Sequence, residues 1–230
     1  MTTARQVKKA MQPLLQRNPD LALVGRFVVI KPVHHILRGI YIDASSLASQ
    51  FVPIWSTNFL FGPSVAFDRI WGRQVRLSST GFWRGDDPAT YKEWYDEIEQ
   101  NVLPLLRQVQ TVDDFAAFNS KERFNGQQLE LFGYLKIYVD IARGDFDSAL
   151  KASERMKTTG RYSSDAPNIF DQITNTIHPI LIANDYAALG QVLRAWEQYQ
   201  VKGRKLEELW EPTPFPFELQ AQADHVKPIS

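Results

Sequence analysis

The chain has no cysteine, only four histidines in 230 residues, and no apolar run near the ~18 residues that a membrane helix requires. Each shortage removes a class of chemistry. Without cysteine there are no disulfides, no thiolate metal ligands and no cysteine nucleophile, which fits a reducing compartment. The first segment, MTTARQVKKAMQPLLQRNPD, has basic residues but no uninterrupted apolar stretch of signal-peptide length. The expectation is therefore a soluble, cytoplasmic protein with no membrane partner. His34 and His35 are adjacent and in a strand point to opposite faces, His178 precedes a proline, and His225 lies near the C-terminus. The spaced histidine pairs of metal sites are absent, so neither a metal nor another cofactor is expected. No P-loop, GxGxxG fingerprint or GxSxG elbow occurs, which removes the common signatures of phosphate, dinucleotide and acyl-transfer chemistry.

Acidic residues are scarce at one end of the chain. Residues 1–85 hold eleven Lys and Arg against Asp20, Asp43 and Asp68, a balance of +8, and residues 86–230 carry the compensating −8, so the formal net charge is zero. A basic half joined to an acidic half suits an anionic partner, and equally suits mutual attraction of the two halves. With 44% hydrophobic and 23% charged residues, the chain can bury an ordinary core and is not expected to be disordered.

Val7, Ala10, Met11, Leu14 and Leu15 recur at helical spacing behind Thr2 or Thr3 as N-cap, and Asn18-Pro19 ends that helix. From Val24 the texture changes to period two in GRFVVIK, VHHILRGIYID and FVPIWSTNFLF, with a weaker strand in RQVRLS. In PIWSTNFLFG, residues 53–62, read with Phe51, one face bears Phe51, Trp55, Phe59 and Phe61 and the other Val52, Ile54, Ser56, Asn58 and Leu60; apolar residues on both faces and few charges read as a central strand. Asp86-Asp87-Pro88 begins a helix that runs to about Gln110 with Pro104 inside it, where the missing N–H should kink it. Thr111 can cap a short helix after it.

Beyond Gly126 the signals are helical, and one pattern recurs. Arg143-Gly144 ends a helix and Asp145-Phe146 opens DFDSALKASERM; Ala183-Asn184 ends another and Asp185-Tyr186 opens DYAALGQVLRAWEQYQ. Gly144 and Asn184 suit the left-handed C-cap, Asp145 and Asp185 the N-cap, and Phe146 and Tyr186 equivalent aromatic plugs, so two αα-hairpins follow. They resemble tetratricopeptide-type hairpins locally, although two copies fall short of a self-standing solenoid. Prolines 212, 214 and 216 mark an extended C-terminal tail in which Phe215 and Phe217 can dock in cis or on a partner. The expected fold is α+β: a basic antiparallel sheet with flanking helices over residues 1–120, an acidic region of αα-hairpins over 121–210, and a proline-rich tail over 211–230.

The carboxylates on the Asp86–Glu99 helix read as a solvated face, because no histidine or phosphate loop accompanies them. A more suggestive stretch runs from Arg69 to Gly85, with four arginines and no acid. Arg69, Arg73, Arg76 and Arg84 offer bidentate donors to phosphate or carboxylate, and Trp71 and Trp83 could stack on a base or guanidinium. The competing reading makes the tryptophans core or rim residues and pairs the arginines with the acidic helix that follows.

Three features in order resemble a bacterial domain-of-unknown-function family: a helix ending in Pro13-Leu14-Leu15, a strand meander through GRFVVIK and FVPIWSTNFLF, and a long helix ending VLPLLRQVQTVDDF. The resemblance covers residues 3–120. It implies a small α+β module with a binding role, of the toxin-immunity or accessory-interaction kind, and assigns no active-site residue. The leading expectation is a non-catalytic protein–protein interaction module of immunity type. The alternatives are nucleic-acid or anion binding through Arg69–Arg84, and an enzyme with a cleft between sheet and helices.

Overall fold

The computed structural model describes residues 3–44, 50–63, 72–75, 83–84, 88–121, 133–159 and 167–225. Two compact units are formed: one from Met1–Asn58, Phe67–Phe115 and Lys205–Glu211, the other from Phe59–Ala66, Ala116–Arg204 and Pro212–Ser230.

In the first unit, Thr3 and Gln6 close a capping box, the Gln6 N–H donating to Thr3 Oγ1 and the Thr3 N–H to Gln6 Oε1. Two of the orphan donors of a helix start are satisfied this way. Helix α1 (Ala4–Arg17) then buries Val7, Ala10, Met11 and Leu14, the face expected from their spacing. Strands β1 (Leu21–Val24) and β2 (Phe27–Ile30) form a hairpin whose two-residue turn puts Gly25 at φ +61°. Strands β3 (Ile36–Ala44), β4 (Gln50–Phe59) and β5 (Gly72–Gln74) continue the sheet in the order β1-β2-β3-β4-β5, and β6 (Trp83–Arg84) also pairs with β4. The fold is α+β, built on an open antiparallel sheet.

Strand β4 is central, as both of its apolar faces require. Phe51, Trp55 and Phe59 are buried, and so are the polar Ser56, Thr57 and Asn58. Phe51 packs on Trp83, and Trp83 stacks on Trp94 with ring centroids 4.8 Å apart.

Helix α2 (Pro88–Glu97) passes without interruption into α3 (Leu103–Arg107) through a π-turn at Ile98–Val102. The Leu103 N–H donates to the Ile98 carbonyl, five residues back. This register change lets the run pass Pro104, whose ring would strike the carbonyl four residues back in an ordinary α-helix. The charge halves meet here. Arg17 donates to both Glu99 carboxylate oxygens, Asn18 bridges Glu99 to Arg107, and Arg107 forks onto Asp20 at 2.8 and 2.9 Å. Thr111 and Asp114 form a second reciprocal cap ahead of α4 (Val112–Lys121). Burial works against the Asp114 carboxylate, yet its hydrogen bonds from Thr111 and Gln110 hold its pKa below the ordinary value. The segment after residue 204 also belongs to this unit: Val33 N–H donates to the Leu209 carbonyl and Glu211 N–H to the Val33 carbonyl.

The second unit contains two αα-hairpins, α5 (Gly133–Arg143) with α6 (Phe146–Thr159), and α7 (Pro167–Gln172), a π-turn at Ile173–Ile177 and α8 (His178–Ile182) with α9 (Tyr186–Arg204). Both tips follow the expected capping. Gly144 and Asn184 have φ +87° and +52°, and Asp145 and Asp185 each accept from the backbone N–H three residues on. Phe146 and Tyr186, the matching residues of the two tips, stack on each other at 3.9 Å with an 8° interplanar angle.

The C-terminal segment corrects the sequence reading. In place of an extended tail from residue 211, Pro216–His225 forms α10. Pro216 sits at the first helical position, where its lost N–H costs nothing, and Glu218 accepts the Phe215 N–H at 2.7 Å. Phe215 and Phe217 are buried within this unit, against Phe61 and Phe146 respectively, so the segment docks in cis. Among the described residues no helix is long and apolar enough to cross a membrane.

Candidate functional site

The arginine and tryptophan stretch divides on inspection. Arg69, Trp71 and Arg76 lie outside the described residues. Arg73 on β5 is exposed opposite Trp55, and Arg84 on β6 is exposed opposite Gln50. Trp83 is only 1% exposed, sandwiched among Phe51, Tyr91 and Trp94, and its indole has no open face for a base. Of the three described members, the two arginines keep a surface position and the tryptophan belongs to the core.

The side chains with catalytic potential have structural partners instead. Ser153 Oγ lies 2.9 Å from His178 Nδ1, a nucleophile beside a base by composition alone. Ser153 is fully buried on α6 and also donates to the Leu150 carbonyl, so no substrate carbonyl can approach it. The contact fastens α6 to α8. Burial pushes the His178 pKa down, Lys157 adds to the shift and Glu154 opposes it. Asp140, also buried, accepts from Lys136 Nζ and from Ser148 Oγ at 2.7 Å. Lys136 Nζ also donates to Ser148 Oγ at 3.1 Å, so the three side chains satisfy one another within the α5–α6 hairpin. His34 Nδ1 lies 2.8 Å from the Glu211 carbonyl, and buried Arg38 donates to the Val109 carbonyl at 2.9 Å. Among the described residues no group of three or more metal-ligating side chains could hold an ion.

What remains is a groove on the helical unit. Ala187, Gly190, Gln191, Arg194, Ala195 and Gln198 share one face of α9, and Pro214, Phe217 and Glu218 line the other side of an open groove of about 700 Å³. Its walls stand close because position 190 is glycine: a Cβ there would lie 2.9 Å from Glu218 Oε1 and 3.3 Å from the Phe217 ring. Arg194 donates to Glu218 Oε2 at 2.7 Å and to the Thr213 carbonyl at 3.3 Å, and its guanidinium lies over the Phe215 ring. The charges are mutually satisfied. Tyr186, 39% exposed, contributes an aromatic edge at the groove, and Ile182 and Leu219 of the same unit are more than half exposed.

The groove was not anticipated from the sequence. Its signal was present in DYAALGQVLRAWEQYQ as a stripe of small and uncharged polar residues, beside the Leu189, Leu193 and Val201 stripe that enters the core. A solvated helix face of that length ordinarily carries charges of both signs, and here the single charge, Arg194, is neutralised in cis.

No family model, curated protein or solved structure matches the chain.

Proposed function

We propose that this chain is a non-catalytic protein–protein interaction protein of the immunity or accessory kind, and that its helical unit receives the partner. The observation that carries the reading is the groove between α9 and the start of α10, with exposed apolar side chains in the same unit. Exposed apolar side chains beside a polar-rimmed groove are the kind of surface that meets another protein. The buried position of Ser153 favours binding over catalysis. Affinity-tagged chain expressed in its native host should retain a partner that Ala187→Arg, a charge set into the groove from an exposed position, no longer retains. A partner retained equally by the variant would turn the reading against the groove.

Anion binding is the second reading, and a different observation favours it. Arg5, Lys8 and Lys9 lie on the exposed face of α1, which contains no acid. With Arg73 and Arg84 they would give steeply salt-dependent binding to RNA or DNA. Absence of any shift of generic RNA or DNA at low salt would remove this reading.

A further inference from the structure

We propose that the α9 groove recognises an extended peptide segment of a partner protein through that segment's backbone; this rests on the interaction reading above and specifies the chemistry of its occupant. The chain already displays the mode. Its own residues 212–215 carry no helix or strand and run beside α9, where Arg194 donates to a backbone carbonyl, that of Thr213, and the Pro214 ring lines the groove.

The groups left over define what else can bind. Gln191 and Gln198 are exposed, line the groove, and make no hydrogen bond among the described residues. A carboxamide offers a donor and an acceptor together, which matches the N–H and C=O of a peptide and suits neither a phosphate nor a cation as sole ligand. Charged ligands are further disfavoured because Arg194 and Glu218 already satisfy each other at 2.7 Å. Seven residues separate the two glutamines, so they stand ~10 Å apart along the helix, the rise of about three residues of extended chain. Between them Ala195 presents only a methyl group and lets a backbone come close, while Phe217 and Tyr186 provide apolar surface for one side chain of the guest. A helical guest would keep its amides for itself and leave both glutamines unanswered, so an extended segment is the better match.

Random peptides displayed on phage, panned against the full chain and then synthesised singly, test this. Two variants and one peptide modification report: Ala187→Arg fills the groove, Gln191→Leu with Gln198→Leu removes both carboxamides at exposed positions, and N-methylated peptides lose single backbone donors. The expected result is selected peptides whose affinity vanishes with Ala187→Arg, falls about tenfold in the double leucine variant, and falls similarly on N-methylation at one or two central positions. Thermal melts of both variants should match the parent, which separates lost binding from lost folding. Binding lost in Ala187→Arg but indifferent to the double variant and to N-methylation overturns backbone recognition and leaves the groove as the interaction site. Binding indifferent to all three, or no selected peptide, overturns the proposal together with the groove reading.

Discussion

Replacing Gly144 by alanine, beside the same change at Gly25, separates two costs that usually arrive together. Both glycines have positive φ, +87° and +61°, a region where an L side chain is strained by roughly 1–2 kcal/mol. Reduced freedom of the unfolded chain returns about 0.4–1 kcal/mol in each case. At Gly25 nothing lies within 4 Å of the new Cβ, so the net loss should be about 1 kcal/mol or less. At Gly144 the new Cβ meets Phe217 Cβ at 3.1 Å and Gln220 Oε1 at 3.2 Å, both on α10. The backbone of α10 must yield by a few tenths of an ångström, an overpacking cost of about 1–3 kcal/mol. Gly144→Ala should therefore lose about 2–3 kcal/mol in total. Urea titrations followed by far-ultraviolet circular dichroism measure both, with Trp196 fluorescence reporting on the second unit and Trp55, Trp83 and Trp94 on the first. Equal losses at the two sites would refute the claim that α10 is pressed against the hairpin tip.

Other expectations are simpler. Phe215→Ala removes a fully buried ring packed on Phe61 and under Arg194, and should cost about 3–5 kcal/mol by urea unfolding. Because folding lowers the His178 pKa, the unfolded chain takes up the proton first; stability should be full above the ordinary histidine value of about 6.5 and decline as pH falls below it. His178→Asn should flatten the slope of urea midpoint against pH over that range. Tyr95, its hydroxyl donating to the Ala10 carbonyl at 2.6 Å, has its pKa pushed up to about 12, chiefly by burial and then by Tyr91. Its share of stability should hold below pH ~10 and be lost as pH climbs toward the folded value, while Tyr95→Phe should cost about 1 kcal/mol at neutral pH. Arg107→Lys, which gives up the fork on Asp20 at a site about one-third exposed, should cost about 0.5–1 kcal/mol in low salt and less in high salt.

Capping chemistry and periodicity made much of the fold readable. Thr3, Thr111, Asp145 and Asp185 cap where their positions suggest, Gly144 and Asn184 take the left-handed conformation, and the strand alternation locates β2, β3 and β4 but not β1, whose four residues Leu21–Val24 are too few to show a period. Local rules work at such places because the hydrogen bonds concerned close within three or four residues. The tail was misread for a related reason. Three spaced prolines suggested extended chain, but Pro216 is harmless at the first position of a helix, and Glu218 two residues on is the capping partner that should have been weighed with it. Between the stacking and the core readings of Trp83 the sequence could not choose, because spacing among arginines says nothing of depth and β6, two residues long, is too short for alternation to reveal which face is buried. The groove depends on Phe217 and Glu218, at the start of α10, meeting Gly190 and Arg194 of α9, a contact between distant segments that no local pattern encodes. Only its chemical residue, a helix face with small and carboxamide side chains in place of charges, was open to reading.

The prolines of the long helices tie local sequence to the hairpin architecture. Pro104 and Pro179 each follow a π-turn of five residues, Ile98–Val102 and Ile173–Ile177, and in each case the residue before the proline donates to a carbonyl five positions back while keeping α-helical dihedral angles. Proline ordinarily drives its predecessor out of that region. An added residue in the turn relieves the clash at the backbone, so a kink is not the sole answer to a proline in mid-helix. Each site is followed within a few residues by a helix end and an aspartate-marked helix start, Thr111 to Asp114 in one case and Asn184-Asp185 in the other. An apolar residue, any residue, proline and two apolar residues, as in VLPLL and IHPIL, thus marks the last turns of a helix before the next one starts. Replacing either proline by alanine restores the amide donor and removes the reason for the π-turn. If the turn exists to admit the ring, both variants should gain stability in urea; if it exists to aim Val102 and Ile177 into their cores, both should lose it.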